Sequence, residues 1–144
     1  AADFDSWEVC DQACGNLFAH MPLAYDKALA WSARPEAFVK RAGFVLMAVL
    51  AHRDQKTSDA ALLACLPIIE REAGDGRNFV KKGVNWALRD IGKRNLALNA
   101  QAVAVAARLS ERPEPAARWN GRDAQRELTS EAVLARLAER AARG

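Results

Sequence analysis

The strongest constraint on this chain is that part of it returns. The stretch EAFVKRAGFVLMAVLA (Glu36 to Ala51) lies over RNFVKKGVNWALRDIG (Arg77 to Gly92) at a shift of 41 residues. Phe38 falls on Phe79, Val39 on Val80, Lys40 on Lys81, Arg41 on Lys82 and Leu50 on Ile91. A weaker echo, ARWNGRDAQREL (Ala117 to Leu128), follows at a similar distance. The apolar residues within these stretches recur with a helical period. A helical unit of this length buries its apolar face against its neighbours, so copies stack into an array with a continuous core and one set of helices on a curved face.

The rest of the chain fits that scheme. A first helix is expected from about Asp5 to Phe18, ended by His20-Met21-Pro22, and a second over about Leu23 to Ser32. A third starts with Pro35 at its first helical position, where the missing N–H is harmless, and reaches about Ala51. It is apolar over much of its circumference and therefore central. Ser58 is placed to cap a fourth helix running to about Ala73, with Pro67 expected to bend it. The fifth spans about Asn78 to Lys93, the sixth Leu96 to Arg108 and the seventh Pro115 to Leu128, and a last helix runs out at Gly144. No strand pattern competes. Paired helices returning at about 40 to 47 residues mark HEAT and armadillo arrays. The expectation is an all-α, HEAT-like solenoid of antiparallel helix pairs forming a single domain over residues 1–144.

Composition narrows the function classes. The chain of 144 residues is half hydrophobic, and no apolar run is long enough to span a bilayer. The three cysteines, Cys10, Cys14 and Cys65, are not the pattern of a disulfide scaffold, which points to a reducing cytoplasm. Cys10 and Cys14 share a helix face, but only His20 is near them, so they read as core residues and no metal site is expected. His20 and His52 fall near helix ends and read as surface or capping residues. No nucleotide-binding, G-x-S-x-G or H-E-x-x-H pattern is present. Charge is uneven: −3 over residues 1–35, +4 over 36–95 and +2 beyond. A basic middle and a pI near 9 suit a polyanionic partner.

Two constellations carry chemistry. On the fifth helix, Trp86 lines up with Lys82, Arg89 and Lys93 on the side away from the apolar stripe of Val84, Leu88 and Ile91. Lys40 and Arg41 occupy the slots of Lys81 and Lys82 one unit earlier. With Arg89, Lys93 and Arg94 they would form a basic strip across neighbouring helices, suited to a phosphate backbone, and an aromatic within it suits a base or sugar. On the first helix, Trp7 and Asp11 are one turn apart. An aspartate beside an aromatic wall can stabilise developing positive charge and orient water. Trp31 and Trp119 have core spacing.

Three of these stretches together resemble the DNA alkylation repair family, the helical-repeat 3-methyladenine/7-alkylpurine DNA glycosylases often called AlkD-like. They are SWEVCD (Ser6 to Asp11), FVKRAGF (Phe38 to Phe44) and FVKKGVNWALRDIGK (Phe79 to Lys93), and the resemblance runs from about Phe4 to Leu128. It implies that Trp7 and Trp86 are aromatic walls and Asp11 the key carboxylate. It implies that Arg41 contacts the DNA backbone, with Lys82 and Arg89 beside Trp86; Lys93 joins them in the basic strip. The implied reaction is hydrolysis of the N-glycosidic bond of cationic N3- or N7-alkylated purines, without lyase chemistry. The implied partner is double-stranded DNA containing alkylated bases, bound by a monomer, with no metal or nucleotide cofactor. Members usually carry further helical pairs ahead of the W-x-x-x-D helix, and this chain opens Ala1-Ala2-Asp3-Phe4 without an initiator Met; the expectation is the C-terminal part of a longer protein. A relative that binds DNA without cutting it, and a protein-interaction array, are the alternatives on the same scaffold.

Overall fold

The computed structural model describes residues 24–53 and 56–143; the expected first helix, with Trp7 and Asp11, lies outside them. Seven helices and no strand occur among the described residues: α1 (Ala24–Ser32), α2 (Ala37–Arg53), α3 (Asp59–Glu72), α4 (Asn78–Gly92), α5 (Leu96–Ser110), α6 (Pro115–Leu128) and α7 (Glu131–Arg143). The protein is all-α, a helical-repeat solenoid of packed helix pairs.

Local chemistry sets the helix ends. Ser58 caps α3 by accepting the Ala61 N–H at 3.1 Å, and Asn95 caps α5 by accepting the Leu98 N–H at 2.9 Å. Each satisfies a backbone donor that has no partner inside the helix. Pro115 opens α6 from its first turn. One expectation shifts: Pro35 lies ahead of α2, which begins at Ala37. The helix α3 contains Pro67 and runs on to Glu72.

The layers follow from which faces are apolar. The second helices of each pair, α2, α4 and α6, pack side by side. The first helices form the other layer: α1 packs on α2, α3 on α5, and α5 on α6, while the Tyr25 hydroxyl of α1 donates to the Ala61 carbonyl of α3 at 3.0 Å. Every residue of α2 from Lys40 to Ala51 is buried, as its all-round apolar sequence requires. Close approach is made possible by glycine in two places. A Cβ on Gly43 would stand 2.3 Å from the Ser32 backbone nitrogen of α1, and one on Gly121 would stand 2.5 Å from the Ala106 carbonyl of α5. Arg94 ties successive units: its guanidinium donates to the carbonyls of Leu50 and Ala51 at the end of α2 and to that of Thr57. Those last-turn carbonyls have no intrahelical donor, so the cation both bonds them and opposes the helix dipole.

The core continues through Phe44, Leu46, Met47, Leu62, Ile69, Leu88, Ile91, Leu109 and Leu128. Cys65 belongs to it; burial pushes its thiol up to about 12, so it is an inert packing residue. The last helix is amphipathic. It buries Val133 and Leu137 against α5 and α6.

Candidate functional site

The outward face of α4 carries the candidate site. Its buried stripe, Val80, Val84, Ala87, Leu88 and Ile91, fixes the helix against the core. Residues 82, 86, 89 and 93 are thereby turned to the opposite side. Trp86 is half-buried and packs on the edge of the core. It lines two recesses. One, of about 410 Å³, also has Arg41, Lys82, Asn85, Arg89, Trp119 and Asp123 in its walls. The other, of about 930 Å³, lies toward the ends of α2 and α4 and the arginines of α7.

The ring of Trp86 is held in place. Its indole N–H donates to Asp90 Oδ2 at 2.9 Å. The Asp90 side chain is only 12 % exposed, and Lys93 Nζ stands 3.7 Å from its other oxygen. Burial pushes the Asp90 carboxyl above its ordinary range, against the pull of Lys93, the Trp86 N–H, His52 and Arg89.

A polar network on α6 frames the same face. Asn85 donates to Asp123 at 3.1 Å and accepts from Arg89 Nε at 2.7 Å. Arg89 and Lys93 then converge on Glu127, each at 2.8 Å. Burial pushes the Glu127 carboxyl up, but its bonds to Arg89 and Lys93 outweigh that and hold it below its usual range. Aligned in this way, the network has few alternative arrangements and makes the site rigid.

The cations named from the sequence therefore differ in state. Lys82 is exposed. Arg89 and Lys93 are partly buried and paired with Glu127. Arg41 lines the recess but is 9 % exposed, and its Nη1 donates to the Phe79 carbonyl at 2.6 Å. Lys40 leaves the expected basic strip altogether. It is buried in an ion pair with Glu72 at 2.7 Å and Asp75 at 2.8 Å. Arg94 braces α2 instead.

Trp119 corrects its core assignment. It is 39 % exposed, lies in the wall of the recess with Trp86, and carries the Lys81 ammonium 4.6 Å from its ring centroid. Trp31 packs against the core as expected. Asp90, Trp119, Asp123 and Glu127 were not singled out by sequence reasoning. A signal for three of them exists. Adjacent helices meet at a register of 38 residues, in Asn85–Asp123, Arg89–Glu127 and Lys81–Trp119. A search for complementary residues at that offset, about one turn short of the 41-residue repeat, would have found them.

Among the described residues, no group of three His, Cys, Asp or Glu side chains is placed to hold a metal ion, and no helix is long and apolar enough to cross a membrane. Stacked helix pairs presenting a half-buried indole, a fixed carboxylate and cations define a helical-repeat protein with an aromatic, cation-rimmed recess. The family described as DNA alkylation repair enzyme matches residues 1–133, and the chain belongs to that family, the AlkD-like one. No curated protein and no solved structure matches it. Membership supports an enzymatic role in the repair of alkylated DNA.

Proposed function

We propose that the protein is a DNA glycosylase that hydrolyses the N-glycosidic bond of cationic N3- or N7-alkylated purines in duplex DNA. The observation that carries this reading is the placement of Trp86. The ring stands where two cation-lined recesses meet, with its N–H anchored on Asp90 and its body at the protein surface.

The chemistry suits such a ring. Alkylation at N3 or N7 makes the purine cationic and a good leaving group. As the bond from C1′ breaks, its electron pair goes to the base, and positive charge builds on the deoxyribose. Indole faces and a carboxylate stabilise that charge more as it develops than in the ground state. Asp11 takes the proton of the water that adds to C1′, and Trp7 supplies a second wall; both roles are inferred from the family resemblance. Asp90 is a positioning residue for Trp86. Lys82 meets backbone phosphate, and Arg41 adds its fixed charge to the same recess.

The test is release of 7-methylguanine from methylated duplex DNA. Asp11→Asn and Trp86→Ala should each lower the rate by at least about a hundredfold, the scale of losing one electrostatic group at a reacting centre, with duplex binding retained. Normal turnover by Asp11→Asn would show that the carboxylate is wrongly assigned. Binding without base release at any concentration of the unaltered protein would instead identify a DNA-binding relative.

A further inference from the structure

The larger recess beside Trp86 contains cations that the described residues leave unmatched. Several of its basic groups are engaged: Lys93 with Glu127, Arg94 with the end of α2, and Arg140 with the Lys93 carbonyl at 2.7 Å. Its two acids are engaged as well. Asp59 accepts from Asn95 at 3.0 and 3.1 Å, and Asp90 accepts from Trp86. Three arginines remain, Arg53 at the end of α2 and Arg136 and Arg143 on α7. All three are exposed, and among the described residues none has a hydrogen-bond or ion-pair partner.

Their arrangement is set by α7. Val133 and Leu137 fasten one face of that helix to the array. Arg136, Arg140 and Arg143, spaced four and three apart, share another, and all three line the recess. The family match stops at residue 133, so these arginines belong to the part of the chain that the match does not reach. A folded protein gains nothing from holding unpaired like charges together, because they repel each other. The cluster is explained by an anion outside the chain. The recess shares Trp86 with the smaller one, so a strand crossing that ring passes both Lys82 and α7.

We propose that Arg136 and Arg143, with Arg53, form a second phosphodiester-binding site that grips the backbone of duplex DNA on the far side of Trp86 from Lys82. The site deepens the proposed function and rests on DNA being its partner. It reads backbone charge alone, so it strengthens binding to damaged and undamaged duplexes equally.

The experiment is the salt dependence of binding by the full chain to undamaged and to methylated duplex, with base release followed on the same samples. Each phosphate contact contributes about 0.9 to the slope of log K against log salt. Arg136→Gln/Arg143→Gln should lower that slope by about 1.8 on both duplexes. The same change in net charge at Arg34→Gln/Arg108→Gln, side chains already paired with Glu36 and Glu70, should leave it near its original value. Arg136→Glu should lower affinity further than Arg136→Gln. A slope unchanged in the α7 variant, or an equal fall in the control pair, overturns the proposal; a normal helical spectrum and melting temperature for each variant confirm that folding is not the cause. Failure of base release with the slope difference intact would count against the glycosylase reading and leave this site standing.

Discussion

The helices α2 and α4 begin with nearly the same sequence, FVKR and FVKK, and use it in opposite ways. In α2, Lys40 is buried against Glu72 and Asp75, and Arg41 is buried with a bond to the Phe79 carbonyl. In α4, Lys81 lies over the Trp119 ring and Lys82 is exposed. The cause lies in the turn that follows. Glu72 and Asp75 precede α4 and reach back to α2. Their counterparts 41 residues on are Pro113 and Ala116, which have no charge to offer Lys81. The same shift puts Trp86 on Val45 and Arg89 on Ala48, residues wholly buried in α2. One unit turns both cations into structure, and the next lays one over an indole and leaves Lys82 exposed.

The sharpest way to break this comparison is at the glycines. Gly43→Ala would drive a Cβ into backbone of α1. It should cost about 3 kcal/mol, the upper range for overpacking, in urea unfolding. Gly83→Ala meets the Cγ of Arg41 at 3.3 Å and that residue's backbone only at 3.7 Å, and should change stability by no more than about 1 kcal/mol, with helix propensity favouring alanine. Next comes the lysine pair. Lys40→Met leaves two partly buried carboxylates short of a partner and should lose about 2–3 kcal/mol, somewhat below the range for a fully buried pair because Arg71 and Arg77 remain. Lys81→Met removes one cation–π contact, worth about 0.5–1 kcal/mol.

Acid sharpens the contrast by sign. The bond from Arg77 holds the Asp75 carboxyl well below its ordinary 3.8, with burial opposing and Lys40 assisting. Its contribution is therefore complete above that value and lost as pH falls through the folded one. Asp90 behaves in reverse. Burial raises its carboxyl, so stability associated with its neutral form is present below 3.8 and lost as pH rises through the folded value. Melting temperature against pH should show Asp75→Asn with a flattened acid limb. Asp90→Asn, which can still accept the Trp86 N–H, should gain stability at neutral pH relative to the unaltered protein. The smallest effect on stability is expected at Lys82→Gln, within about 0.5 kcal/mol as for other surface sites, although its salt slope on duplex DNA should fall by about 0.9. Arg41→Met, by contrast, removes a buried charged hydrogen bond to the Phe79 carbonyl and should cost about 1.5–3 kcal/mol.

Much of the architecture was readable in advance because it depends on local rules. The helix cap at Ser58, the all-round apolar α2, and the periodic stripe of α4 are properties of residues within one or two turns of each other. Pro35 was misplaced by two residues, since the ring is tolerated just ahead of a helix as well as in its first turn. Trp86 was legible as a residue turned away from the core because it stands off its own helix's apolar stripe, and it lines the recesses. Trp119 was not, because its spacing matches a core position and only the packing of α6 beside α4 shows its exposure. Asp90 could not be valued from the sequence, since its burial and its bond to Trp86 depend on neighbouring helices as well as on the four-residue spacing.

The sequence by itself determined that this chain is a stack of helix pairs, which face of each helix turns inward, and the family to which it belongs. The tertiary structure decided which cations are neutralised and which stay exposed. Periodicity is a property of one helix, whereas charge pairing joins residues 32 to 38 positions apart across helices, and only the packed register says which of them meet.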